Sequence, residues 1–314
     1  MKRLFQFLVL ASLLFACSES TDIWGEKEPE PFSESTDENA RKGKGLDQDR
    51  YIVMKNTGLK VHYRIMGKGP IRMVWVPGWT NPNTVFTKQF EYFRDKAKCI
   101  YIDLPGHGLS DAPTGIEYTM ELLADAIYEV VRKEGFNKFV AIGFSMGPVV
   151  LGQFELKYPG RITELINIDG GFNPWPPVGD PYRDGHIAWR EGNYAFFQTA
   201  TPEIKQFMTL GLLGPNPPQD LVDWGQYFID YPSWLMANIW YNFTAENVNN
   251  PIGWSMPIMC IYTGELPGED YLDEFFPGSE DHLFENSGHV VQWEWAEDVN
   301  DLIDDFIDRP GNKY

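Results

Sequence analysis

The sequence predicts an α/β domain, with a mostly parallel β-sheet, helices on both faces and a mainly helical insertion. Three observations point there. Short apolar runs alternate with stretches of helical period over most of the chain, the pattern of strands joined by crossover helices. A Gly143-Phe144-Ser145-Met146-Gly147 pentapeptide sits between one such run and one such helix. Residues 171–254 break the alternation and are rich in tryptophan and other aromatic residues. The chain has 314 residues, 43% of them apolar, enough to fill a sizeable core, and shows no repeat period that would signal a solenoid or propeller.

The N-terminus reads as an address. Met1-Lys2-Arg3 is basic, and Leu4 to Ala16 is an apolar run of signal-peptide length, too short to span a bilayer. Leu14-Phe15-Ala16-Cys17 resembles a bacterial lipobox, which makes residues 1–16 the expected signal peptide and Cys17 the expected lipidated residue. Between Ser18 and Glu38 there are eight acidic residues against one lysine, with few large apolar groups. Such a stretch cannot bury enough surface to offset chain entropy, so residues 17–50 read as an acidic, flexible tether. The expectation is an exported lipoprotein of the bacterial cell envelope, held at a membrane through Cys17. A formal net charge of −19 argues against nucleic-acid binding. Cys99 and Cys260 fall in apolar runs and are expected as buried free thiols.

The expected core spans residues 51–170 and 255–314. Tyr51 to Lys55 and Leu59 to Met66 are strands joined by the Asn56-Thr57-Gly58 turn, and Ile71 to Val76 is a continuous apolar strand ending in Pro77-Gly78-Trp79. A helix over Thr84 to Lys98 follows, then a strand over Cys99 to Asp103. The turn Leu104-Pro105-Gly106-His107-Gly108 lacks the Lys-Ser/Thr ending of a phosphate loop. Tyr118 to Glu134 is an amphipathic helix, with Leu122, Leu123, Ile127 and Val131 at helical spacing.

Next comes the Phe139 to Ile142 strand and the Gly143 to Gly147 bend into a helix over Met146 to Tyr158. A strand-to-helix turn this tight tolerates almost no side chain at the flanking positions, and it projects the serine hydroxyl clear of the backbone. Unpaired helix N–H groups also face the position where negative charge develops in acyl transfer. Arg161 to Ile168 is another strand, ending at Asp169. Residues 171–254 are too long for an unstructured loop and read as a helical lid, whose rings either pack on the core or line an apolar pocket beside Ser145. His186 is expected solvated in a polar turn. The strand over Ile258 to Tyr262, a last strand at Phe284-Glu285 running into a turn at Ser287-Gly288-His289, and a helix over Trp295 to Asp308 close the domain.

Asp103-Leu104-Pro105-Gly106-His107-Gly108-Leu109-Ser110, the Gly143 to Gly147 elbow and Ser287-Gly288-His289 together resemble the α/β-hydrolase family. The resemblance covers Tyr51 to Ile307 apart from the insertion and implies an eight-stranded sheet. It also implies His289 as general base, and the backbone N–H groups of Trp79 and Met146 as oxyanion donors. Pro77 stands where many relatives have histidine. The usual Gly-x-x-Asp acid slot holds Gly264-Glu265-Leu266-Pro267 here, so Asp169 is the first candidate for the acid, with Asp270 and Glu265 as alternatives. The implied chemistry is serine hydrolysis of a carboxylic ester or related acyl compound of apolar character, with no metal or organic cofactor required. A cofactor-free haloperoxidase or lyase, or a non-catalytic small-molecule-binding protein, stays open as an alternative.

Overall fold

The computed structural model describes residues 47–309. The residues read as signal peptide, Cys17 and nearly all of the expected tether lie outside them.

Eight strands form one sheet: β1 (Gln48–Val53), β2 (Lys60–Met66), β3 (Ile71–Val76), β4 (Ala97–Ile102), β5 (Phe139–Phe144), β6 (Ile162–Ile168), β7 (Ile258–Thr263) and β8 (Glu280–Phe284). The order across the sheet is β1-β2-β4-β3-β5-β6-β7-β8. β2 runs antiparallel to both neighbours, and every pairing from β4 to β8 is parallel. β3 and β5 are the central strands. Every residue of β5 is buried, which is why its sequence is a continuous apolar run rather than an alternating one.

The helices, in chain order, are α1 (Thr87–Phe93), α2 (Met120–Glu134) and α3 (Gly147–Lys157), then α4 (Arg183–Gln198), α5 (Pro202–Leu212), α6 (Gln219–Trp224), α7 (Gln226–Asp230) and α8 (Ser233–Phe243). The last three are α9 (Glu269–Phe275), α10 (Val291–Glu294) and α11 (Ala296–Ile307). α2 starts where Thr119 accepts the Leu122 N–H and stops at Gly135, whose φ of 73° ends the helix in the left-handed region. Its buried face carries Leu123, Ala124, Ile127, Val130 and Val131. Among the described residues no helix is long and apolar enough to cross a membrane.

Three expectations shift. β1 begins at Gln48 rather than Tyr51. The expected helix over Thr84 to Lys98 divides into a 3-10 turn (Asn83–Phe86) and α1. Its last residues join β4, because Ala97 and Lys98 pair with Ile71 and Arg72 of β3. Trp75 of β3 then packs against Phe86, Phe93 and Tyr101, with ring centroids 5.2, 5.4 and 5.5 Å away. Cys99 and Cys260 are buried and free.

The Gly106-His107-Gly108 turn is a structural brace. The Asp103 carboxylate accepts the Asn83 N–H at 2.6 Å and the Leu109 N–H at 3.0 Å, and lies 2.7 Å from His62 Nδ1. A Cβ at Gly108 would fall 2.3 Å from that carboxylate carbon. Burial alone would push His62 down, but its hydrogen bonds to Asp103 and Asp49 outweigh this and raise its pKa to about 9. His107 has no comparable partner, and burial pushes it down to about 4.

Helices α4 to α8 fill the interval between β6 and β7. His186 does not lie in a polar turn. It sits in α4 with its ring between Trp175 (4.6 Å) and Trp189 (5.3 Å), and burial, followed by Arg183 and Arg190, lowers its pKa.

Candidate active site

The strand order places five loops side by side at one edge of the sheet. Val76 pairs with Gly143, so the Pro77-Gly78-Trp79 loop leaves β3 beside the bend that carries Ser145. Phe144 pairs with Ile168 and Ile168 with Ile261, which sets Asp169 between Ser145 and the end of β7. Thr263 pairs with Phe284, and the turn bearing His289 follows.

The bend itself is tight. A Cβ on Gly143 would meet the Gly147 carbonyl carbon at 2.8 Å, and one on Gly147 would meet the Val76 carbonyl oxygen at 2.7 Å. One on Gly78 would meet Ser145 Cβ at 2.7 Å. These contacts explain why glycine occupies all three positions. Among the described residues, three other than glycine have positive φ: Thr80 (66°), Ser145 (55°) and Asp169 (45°). They follow β3, β5 and β6, neighbouring strands, so the backbone strain is gathered at one place.

Ser145 Oγ lies 2.9 Å from His289 Nε2, and His289 Nδ1 lies 2.6 Å from Asp169 Oδ2. Asp169 is held in turn by the Thr263 N–H to Oδ1 (2.9 Å) and the Thr263 hydroxyl to Oδ2 (2.8 Å). Its own N–H donates to the Ile261 carbonyl at 2.6 Å. Ser145 N–H donates to the Ile168 carbonyl at 3.0 Å. The Phe144 ring lies 4.9 Å from the His289 imidazole and backs it. A carboxylate fixed on Nδ1 keeps that nitrogen protonated and leaves Nε2 free to accept the serine proton.

Of the carboxylates read from the sequence, Asp169 is the one joined to His289. Asp270 is exposed in the first turn of α9, and Glu265 is exposed in the turn after β7. Met146 caps the N-terminus of α3. Among the described residues, the backbone N–H groups of Trp79 and Met146 have no hydrogen-bond acceptor. They flank the serine from the β3 loop and from the helix start. Among the described residues, no group of three or more His, Cys, Asp or Glu side chains is arranged to hold a metal ion.

The helices between β6 and β7 reach both the loop after β3 and the turn that carries His289. The Trp79 indole N–H donates to the Met236 carbonyl at 3.0 Å, and its ring packs against Phe197 (4.8 Å), Trp240 (5.1 Å) and Phe228 (5.8 Å). The His289 N–H donates to the Leu212 carbonyl at 2.7 Å. Sequence reasoning missed Thr263 and these two carbonyls. Thr263 closes β7, and its place beside Asp169 depends on the alignment of β6 with β7. The carbonyls carry no side-chain signal at all.

Residues 71–296 match the family model described as alpha/beta hydrolase fold. Epoxide hydrolase 4 of Mus musculus is 31% identical over 162 residues, which are 50% of this chain and 44% of that protein. A 2-hydroxy-6-oxononadienedioate/2-hydroxy-6-oxononatrienedioate hydrolase of Burkholderia vietnamiensis is 25% identical over 295 residues, 82% of this chain and 94% of that one. A solved thermophilic esterase from Thermogutta terrifontis superposes with a TM-score of 0.69 at 22% identity, covering 83% of this chain and 98% of the esterase.

Proposed function

From the premise that this chain belongs to the alpha/beta hydrolase family, we propose that it is a serine hydrolase cleaving a carboxylic ester or a related apolar acyl compound. Ser145 attacks the carbonyl carbon. His289 takes the hydroxyl proton at Nε2 and returns it to the leaving group, while Asp169 orients the imidazole and balances its positive charge. The Trp79 and Met146 N–H groups receive the carbonyl oxygen as it becomes negative. Water, deprotonated by His289, then releases the acyl group. The observation that carries this reading is the unbroken chain of hydrogen bonds Ser145–His289–Asp169, at 2.9 and 2.6 Å.

Epoxide opening suits this site less well, although some relatives are named for it. A serine oxygen that opened an epoxide would form an ether, which water does not cleave readily, whereas an acyl-serine is an ester that it does. Helices α4 to α8 serve as the lid, and the rings around Trp79 border the apolar acyl site. The motif at Leu14 to Cys17 supports export and lipidation of Cys17, with the segment between Cys17 and the start of β1 tethering the domain to a bacterial envelope membrane. Cys17→Ser should then move the protein from the membrane to the soluble fraction. Labelling with a fluorophosphonate probe tests the catalytic reading: folded wild type is expected to react and Ser145→Ala to stay unlabelled. A folded wild type that takes no label would overturn it.

A further inference from the structure

The turn that carries His289 is held from two sides, and neither support belongs to the catalytic chain. Glu294, at the end of the single-turn helix α10, reaches back across the turn. Its Oε2 accepts the Ser287 hydroxyl at 3.0 Å and the Gly288 N–H at 3.0 Å. On the other side, the His289 N–H donates to the Leu212 carbonyl at the C-terminal end of α5. The two supports meet at a pair of glycines. A Cβ on Gly288 would fall 2.4 Å from the Gly214 nitrogen, and a Cβ on Gly214 would fall 2.6 Å from the Gly288 nitrogen and 3.1 Å from Glu294 Oε1. That oxygen is buried and has no hydrogen-bond partner among the described residues.

Glu294 is half-buried as a whole, but this one oxygen is shielded from solvent without a partner, which costs free energy. The other oxygen, Oε2, fixes two consecutive residues immediately before His289. We infer that Glu294 is the positioning residue for the base: it sets the imidazole's approach to Ser145 by clamping Ser287-Gly288 against the Leu212–Gly214 segment of the insertion. This rests on the reading of His289 as general base. Two consequences follow. Loss of the clamp lets Nε2 drift from Ser145 Oγ without altering substrate contacts, so kcat falls and KM does not. And because the clamp works through hydrogen-bond acceptance, an amide oxygen at the same place can do the same work.

The test uses the full chain and a chromogenic acyl ester, well below the melting temperature. Glu294→Ala is expected to lose kcat on the order of 10- to 100-fold, as misplacement of a catalytic group does, with KM within about twofold. Glu294→Gln is expected within about threefold of wild type, since one carbonyl oxygen can accept both bonds. Ser287→Ala removes one of the two bonds and is expected to lower kcat by a smaller factor. Should Glu294→Ala fail to fold, the other two variants decide. Wild-type kcat in Glu294→Ala or Ser287→Ala, a loss in Glu294→Gln equal to that in Glu294→Ala, or a loss expressed in KM overturns the inference. The low-field proton resonance of the His289–Asp169 hydrogen bond gives a readout independent of turnover. It is expected to shift or broaden in Glu294→Ala and to return in Glu294→Gln. A wild type that neither turns over esters nor takes the phosphonate label defeats the hydrolase reading, whereas an unchanged resonance in Glu294→Ala defeats this one.

Discussion

Replacing Asp169 by asparagine is the perturbation that most sharply separates the three candidate carboxylates. Asp169 accepts three hydrogen bonds, from Thr263 N–H, Thr263 hydroxyl and His289 Nδ1. In Asp169→Asn the amide oxygen can keep the Thr263 N–H at Oδ1, which leaves the NH2 group facing His289. An NH2 can only donate to Nδ1, so the imidazole is driven into the tautomer that carries its proton on Nε2. That nitrogen then points a proton at Ser145 instead of a lone pair. The fold should survive, because the change exchanges one charge-assisted hydrogen bond for a weaker one, about 1.5 kcal/mol. The reaction should not. Wrong-tautomer histidine in a serine triad lowers kcat by about 10⁴-fold, or roughly 5.5 kcal/mol of transition-state stabilisation. The assay is kcat for p-nitrophenyl ester hydrolysis in Asp169→Asn, Asp270→Asn and Glu265→Gln, with thermal melts of each. Activity within tenfold of wild type in Asp169→Asn, together with collapse in Asp270→Asn or Glu265→Gln, would refute the assignment.

Three further outcomes are expected. Gly147→Ala drives a methyl group to 2.7 Å from the Val76 carbonyl; a loss of about 1–3 kcal/mol in denaturant titration is predicted, as for other overpacking, and probe labelling should fall with it. Trp79→Phe keeps most of the ring packing but removes the donor to the Met236 carbonyl; it should cost about 1 kcal/mol, and an unchanged denaturant midpoint would remove the tether from the account. His62 has a folded pKa of about 9, above the ordinary value of about 6.5. Its contribution is therefore fully present below about pH 6.5 and is lost as pH rises through 9, so melting temperature should decline across that window. His62→Gln should flatten the decline, and a slope as steep as wild type would contradict the role given to the Asp49–His62–Asp103 cluster.

How legible the molecule was in its sequence depended on how local each feature is. β3, β5 and β7 are buried on both faces and so were readable as apolar runs. β8 is an edge strand, half-buried along its length, and Glu280-Asp281-His282-Leu283-Phe284 carries no such run. The boundary between α1 and β4 was misplaced because Lys96, Ala97 and Lys98 suit a helix in isolation, and the pairing with β3 decides otherwise. Ser145 and His289 were readable from short motifs. Asp169 could be named only as one of three carboxylates, since its claim rests on the alignment of β6 with β7, which brings Thr263 onto its carboxylate. Glu294 was missed because its contacts run back across a turn rather than along a helix face. The Leu212 and Met236 carbonyls depend on where the insertion folds, and nothing short of the fold locates them.

The central claim is that the Ser145 oxygen becomes covalently bound to the acyl group and that His289 drives both halves of the reaction. Intact-mass analysis of rapidly quenched mixtures with an activated ester, followed by peptide mapping, tests it directly. Wild type should gain the mass of one acyl group on Ser145, and Ser145→Ala should gain none and turn over no ester above the buffer rate. Hydrolysis by Ser145→Ala at the wild-type rate, or an acyl group mapped to another residue during turnover, would contradict it.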